Sequence, residues 1–348
     1  MHAAVWNNSV VQKLVYSVGA FIALLIVVGL LLPARATVSA TVRIDTHAAT
    51  VFALVNDFRR VRIWSPMLET DPNARVIFSG PERGVDAAMT WDGTIIGTGL
   101  QVITASRPFE YVETAINPGV RGAARSWFDF DGGNGQTVVT WTFEADYGYN
   151  LVGRYFALLV KGVVKRDQAL GLATLKELAE SLPAADFSNL EIERIVIEST
   201  DIAYLATSSI PEPASMSTAM GDAYFEILTF IDQHGLQDNG APLSIMRSFS
   251  GSQLLFDSAI PVRGLTDATP RDGKTVKIGK TYAGDVIRVT HVGSYRTLST
   301  THRRIAAYLA ALGIERNGDA WESYVSDPTR VAESDLLTYV YYPVRAVF

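Results

Sequence analysis

Trp321-Glu322-Ser323-Tyr324 sets a carboxylate among aromatic rings near the end of the chain. Ionising a carboxylate in apolar surroundings is costly unless a cation or a donor meets it, and the faces of Trp and Tyr attract cations further. Glu322 is thus a candidate to meet a cation or a hydrogen-bond donor, or, as a carboxylate, to act as a general base. A solvated acid at a strand end is the plain alternative. Trp321 and Tyr324 flank the acid in sequence, and Tyr295 and Tyr204 are further candidates to line the same cleft. Tyr224 shares a helix face with Ile227, Leu228 and Ile231, which favours core packing for it. The five histidines, His2, His47, His234, His291 and His302, lack any His-x3-His or His-Glu-x2-His spacing, so neither a metal site nor a cofactor is expected. With no cysteine there is no thiolate chemistry, and no Gly-x-Ser-x-Gly elbow occurs. Gly97-Thr98-Gly99 sits inside a strand pattern and reads as a bulge rather than a phosphate loop.

The elements that position Glu322 belong to a repeat. Residues 235–240 and 313–318 share the pattern Gly, aliphatic, polar, polar, Asn, Gly at an offset of 78 residues. Each copy follows an apolar-periodic helix and closes on Pro-Val-Arg, at Pro261-Val262-Arg263 and Pro343-Val344-Arg345. Strands are expected at 190–197, 203–208, 243–248 and 254–262, with a helix carrying Met220, Tyr224, Ile227, Leu228 and Ile231. After a turn at 271–274 the theme recurs: strands at 275–281 and 286–291, a helix at 298–312, and strands around Ser323 and at 336–344. Two β-α-β-β copies then form one sheet with two helices on a face, and two similar half-sites meet in a cleft along a pseudo-twofold axis.

The first half reads differently. Residues 14–32 carry no charge and are nearly all apolar; as a helix they span about 28 Å at roughly 1.5 Å per residue, close to a hydrocarbon core of about 30 Å. A retained membrane anchor is the favoured reading, with a cleaved signal peptide ending near Ala34-Arg35-Ala36 and a buried core helix as alternatives. Basic residues flank both ends, so the positive-inside rule is near a tie; a short leading tail that stays cytoplasmic places the rest outside. Alternation at Val38, Ala40, Val42 and Ile44 marks a strand, 46–61 a helix with Thr46 as cap, and 74–78, 86–91, 94–105, 109–116, 123–131 and 136–145 further strands. A long helix over 150–181 closes the unit. Trp64, Trp91 and Trp141 are candidate cavity-facing residues, against the commoner role of aromatic strand residues as core. Arg125 and Asp129 share a strand face as a candidate surface pair.

The order strand, helix, antiparallel strands, long helix, together with residues 51–57, Trp64-Ser65-Pro66-Met67, Gly84 with Met89-Thr90-Trp91, and residues 137–141, resembles the START-like (SRPBCC, polyketide cyclase/dehydrase) superfamily. The second half resembles the GyrI-like, AraC-type effector-binding domain, through Gly293-Ser294-Tyr295, Trp321-Glu322-Ser323-Tyr324, Asp327-Pro328 and Tyr341-Tyr342-Pro343-Val344. These resemblances imply an apolar cavity between sheet and helix in the first, and a cleft whose glutamate attracts amphipathic, cationic ligands in the second. Related glutamates also direct water in hydrolysis. The DNA-binding module that accompanies such domains in sensors has no counterpart here.

The resulting expectation is an α+β chain: tail 1–13, transmembrane helix 14–34, START-like domain 38–182, linker 183–189 and GyrI-like domain 190–348. Its function is membrane-anchored binding of small hydrophobic or amphipathic molecules, with a hydrolase or cyclase centred on Glu322 as the alternative. A formal charge of −6 over 348 residues, with no basic stripe, argues against nucleic acid as a partner. Another membrane protein that reads the ligand-bound state remains a candidate partner.

Overall fold

The computed structural model describes residues 8–117, 124–271 and 275–346, in two compact units, Met1–Ala184 and Ala185–Phe348. The start of the strand expected at 123 and most of the turn at 271–274 lie outside the described residues, as does the tail up to residue 7. The chain is mixed α+β, with two antiparallel sheets that stay open rather than closing into barrels.

The first unit begins with α1 (Asn8–Leu31), whose segment Val11–Leu31 is long and apolar enough to cross a membrane, a test that a signal sequence also passes. Strand β1 (Arg35–Ile44) follows, then three short helices, α2 (Ala48–Val55), α3 (Phe58–Trp64) and α4 (Pro66–Thr70). The single helix expected over 46–61 is broken because the Asp57 carboxylate accepts the Arg59 amide at 2.8 Å and caps a new helix. Thr46 is not the cap of α2. His47 occupies that position, while the Thr46 carbonyl accepts the Thr137 hydroxyl at 2.8 Å.

Strands β2 (Arg75–Ser79), β3 (Ala88–Gly93), β4 (Gly97–Arg107), β5 (Tyr111–Asn117), β6 (Ala124–Gly133) and β7 (Gln136–Asp146) complete a sheet ordered β1-β7-β6-β5-β4-β3-β2. Helix α5 (Leu151–Ser181) starts at Asn150, whose side chain accepts the Gly153 amide, and buries Gln168, Gly171, Leu172, Leu175 and Ala179. Gly97 and Gly99 do not mark a bulge. Gly97, at φ +69°, turns the β3–β4 hairpin, and Gly99 pairs with Trp91, whose ring covers it. The register shift in β4 falls instead between Ile103 and Ala105. A Cβ on Gly99 would lie 2.2 Å from the Trp91 ring. Gly99→Ala is therefore expected to cost about 1–3 kcal/mol through overpacking, read as a lowered midpoint in denaturant unfolding.

The second unit contains β8 (Ile192–Ile197), β9 (Asp201–Ser209), α6 (Pro213–Gln233), the two-residue β10 (Gln237–Asp238), β11 (Leu243–Ser250) and β12 (Gln253–Arg263). The second copy follows with β13 (Lys277–Lys280), β14 (Gly284–Val292), α7 (Leu298–Leu312), β15 (Trp321–Tyr324) and β16 (Leu337–Pro343). The sheet runs β13-β9-β12-β11-β15-β16-β14-β8. The two copies meet where β11 pairs β15, and their leading strands are exchanged: β8 pairs β14 of the later copy, while β13 pairs β9 of the earlier one.

The repeated turns are conformational twins. Gly235 and Gly313 have φ +62° and +66°, Gly240 and Gly318 +143° and +149°. Such angles are strained for any residue with a Cβ, which accounts for glycine at all four positions. The amides of Leu236 and Ile314 both donate 2.9 Å back to the preceding helix, to Ile231 and Leu309. One core packs α6 over Ala203, Ile260 and Val262, and a second packs α7 over Ile287, Val289 and Val340. The opposite sheet face carries its own cluster around Ile202, Leu243, Ile245 and Trp321.

Candidate functional site

Alternation along β15 decides who accompanies Glu322. Successive strand residues point to opposite faces, so Glu322 and Tyr324 share one face while Trp321 and Ser323 occupy the other. Glu322 pairs across the sheet with Ser244 and Val340, on the face that α7 covers. Trp321 stacks on Tyr341 with ring centroids 4.8 Å apart, in the cluster of the opposite face. Tyr204 belongs to that same opposite cluster. The expectation that Trp321 and Tyr204 enclose the acid is thus corrected: sequence adjacency put Trp321 beside Glu322 along the chain, and the pleat turned it away.

What does enclose Glu322 is a chain of polar side chains. The carboxylate is buried, at 4 % exposure. One oxygen, Oε1, lies 2.7 Å from His302 Nε2, and Oε2 accepts the Tyr324 hydroxyl. An ionised carboxylate only accepts, so Nε2 of His302 carries hydrogen where it meets an ionised Glu322, and Nδ1 lies 2.8 Å from the Tyr342 hydroxyl. Ser244 bonds to Tyr324 through its side chain. Tyr295 meets Tyr324 edge-on at 5.3 Å, and Tyr224, whose hydroxyl donates 2.9 Å to the Leu243 carbonyl, lies within the field of Glu322. Tyr224 thus belongs to the surroundings of the acid rather than to core packing alone.

Electrostatics fixes the roles of these phenols. Burial, then the charge of Glu322, holds Tyr324 well above the ordinary tyrosine range; burial pushes Tyr342 up to about 12, and raises Tyr224 and Tyr295 as well. They remain neutral donors at any physiological pH, and Tyr324 is a donor to Glu322 rather than a nucleophile. A carboxylate has about four acceptor sites, of which His302 and Tyr324 take two, so Glu322 keeps about two for a further donor or cation.

The repeat explains why there is one such acid and not two. Ser244 and Glu322 are 78 residues apart, as are Tyr224 and His302, and Met246 and Tyr324. Ser244 faces Glu322 directly in the β11–β15 register, so the pseudo-twofold axis passes through that pair. The later copy carries Glu, His and Tyr where the earlier carries Ser, Tyr and Met, and the ionisable set is thus one-sided. His302 escaped the sequence reading because a lone histidine on a helix has no ligand spacing. Its signals were the repeat offset from Tyr224 and its place on the α7 face with Leu298 and Ile305.

An open surface depression of about 430 Å³ is lined by Ser294, Arg296, Thr297, Glu333 and Ser334, the first two being the chain neighbours of Tyr295. In the first unit Trp64, Trp91 and Trp141 sit in the aromatic core. Trp64 meets Phe128 and Trp141 edge-on, each at 5.9 Å, Trp141 stacks on Phe128 at 5.0 Å, and the indole of Trp64 donates to the Leu54 carbonyl at 3.0 Å. The surface pair expected between Arg125 and Asp129 is replaced: Arg125 bridges to Glu144 at 3.1 Å and lies over Trp127 at 4.8 Å.

Residues 35–180 match the family described as polyketide cyclase / dehydrase and lipid transport. The chain is also similar to several solved structures. The crystal structure of the EcmrR C-terminal domain shares 14% identity and a TM-score of 0.38, covering 46% of this chain and 99% of that one. A hydrolase from Listeria innocua shares 16% identity at a TM-score of 0.33, covering 44% and 91%. A truncated norcoclaurine synthase from Thalictrum flavum shares 9% identity at 0.34, covering 42% and 94%. Likeness at this level carries no residue role across. Comparison with curated proteins finds no match.

Proposed function

We propose that this protein is a membrane-anchored binder of small hydrophobic or amphipathic molecules, and that the later unit favours cationic ones. The observation that carries the reading is Glu322: a buried carboxylate with spare acceptor capacity, surrounded by Tyr224, Tyr295 and Tyr324 and backed by His302. An arriving cation would meet a charge already desolvated, with ring faces beside it. Tyr295 is the link from the depression at Ser294 and Arg296 toward the acid. The exposed, apolar α1 supports anchoring, with the remainder of the chain outside the cytoplasm. A START-like unit beside the bilayer suits ligands that partition into lipid.

A hydrolase is the second reading, favoured by one observation: Glu322 has a proton-bearing group on each oxygen, as a base that hands protons on would need. The test uses the full chain in detergent, titrated with a fluorescent lipophilic cation and with its neutral isostere, beside a panel of esters and amides followed for turnover. Saturable uptake of the cation over the isostere without substrate loss is the expected result. Substrate consumption that Glu322→Gln abolishes would reverse the order of the two readings.

A further inference from the structure

Helix α5 changes character along its length. Its later part buries Gln168, Leu172, Leu175 and Ala179 in the first unit, whereas its beginning leaves Val152, Phe156, Leu159 and Val163 exposed. Their exposures run from 46% to 79%, and their spacing of four, three and four residues places them on a single stripe. The preceding Tyr149 is exposed as well, Lys161 and Lys165 lie across the helix from the stripe, and Arg166 stands just beyond its end. An apolar patch of this kind marks an interaction surface.

The neighbour of this segment says what covers it. The Tyr155 hydroxyl donates to the carbonyl of Leu25 at 2.6 Å, and a Cβ on Gly29 would lie 3.1 Å from the Tyr155 ring and 3.3 Å from Leu151. Leu25 is six residues inside the end of α1, about 9 Å at roughly 1.5 Å per residue. If α1 crosses a bilayer, the first turns of α5 therefore stand at a depth that belongs to the headgroup and acyl boundary, where helices with an apolar face and basic rim embed by about 5–10 Å. Arg154, on the face toward α1, needs no water at that depth, because its guanidinium is taken up by backbone carbonyls.

We infer that residues 149–163 form a second membrane-embedded element, an interfacial helix docked on α1, so that the START-like unit touches the lipid surface through its closing helix as well as through the span. This rests on the anchoring reading of α1, and the experiment separates the two. The chain has no cysteine, so single cysteines can be placed at Leu159, Val163, Leu24 and Glu177, each on an exposed position, and labelled with an environment-sensitive fluorophore. The labelled full chain is reconstituted in phosphatidylcholine vesicles containing phosphatidylglycerol, with and without nitroxide-bearing lipid.

Labels at Leu159 and Val163 are expected to be quenched by the lipid-borne nitroxide to a degree comparable with Leu24, while Glu177, 18 residues or about 27 Å further along the helix than Leu159, is quenched only by aqueous iodide. Iodide quenching at Leu159 and Val163 with Leu24 protected overturns the inference and leaves the anchor standing. Protection from both quenchers, with Leu159→Cys forming a disulfide dimer, means that a second copy of the chain covers the stripe, and also overturns it. Iodide quenching at Leu24 removes the anchor and this inference together.

Discussion

Glu322→Gln is expected to weaken binding of a lipophilic cation by at least about 20-fold, roughly 2 kcal/mol, while the neutral isostere shifts by less than about threefold. The asymmetry follows from the site. Gln keeps the size of the side chain and one acceptor oxygen, so the Tyr324 hydroxyl or the His302 ring retains a partner, but the negative charge that a cation would meet is gone. The amide also brings an NH2 donor toward groups that themselves donate, which disfavours one of the two contacts without opening a cavity. The measurement is a pair of fluorescence titrations on the full chain, checked by matched unfolding midpoints. Equal weakening of cation and isostere would mean that the substitution had disturbed the fold around β15, and unchanged binding of both would remove Glu322 from the ligand's path. A companion His302→Phe variant removes the group on Oε1 and leaves the charge, so cation affinity should persist.

Arg154→Met should destabilise the junction between α1 and α5 by about 2–4 kcal/mol. A helix ends with carbonyls that have no partner within it, and α1 meets this with one side chain: Arg154 Nη1 donates to the carbonyls of Gly29, Leu30 and Leu32 at 3.3, 3.0 and 3.0 Å. Nε and Nη2 both reach the Gly148 carbonyl, at 2.9 and 2.6 Å, tying the same fork to the loop that begins α5. Methionine fills the space with no donor, and several carbonyls lose their partner at once. Lysine restores a charge but not the fork, so Arg154→Lys is expected to lie between the two, whereas Tyr155→Phe, which loses one hydrogen bond to Leu25, should cost about 1 kcal/mol. Amide hydrogen exchange over the last turn of α1 in detergent reads all three. Faster exchange there with an unchanged sheet is the expected pattern, and no change would show that solvent or lipid satisfies those carbonyls.

Where local chemistry fixed an element, the chain announced it. The long helix, expected over 150–181 and found at Leu151–Ser181, was legible as one sustained element, and the two glycine-bounded turns from their repeat. The α+β class followed from those elements. Less was legible at the site. Glu322 and Tyr324 share a face because they are two residues apart, and the same rule sends Trp321 to the other side; reading the four residues as a cluster ignored the pleat. His302 comes from a different element, 20 residues earlier, and only the fold brings it to 2.7 Å from the acid. The tryptophans of the first unit illustrate the opposite limit, since Trp64, Trp91 and Trp141 have the composition of a ligand pocket and the packing of a core. Nothing in the sequence marked the exchange of β8 and β13, because edge strands of six and four residues carry too little pattern to name their partners.

That exchange governs how the later unit can come into being. Residues 192–197 leave the ribosome early, yet the strand they lie against, 284–292, is made only after the whole earlier copy has emerged. Until then an open backbone edge waits without its mate, and the earlier copy in turn lacks the short strand 277–280 that closes it. Neither half can be finished alone, because a nascent or clipped chain ending between the copies would leave β8, β9 and β11 each without the strand that the later copy supplies.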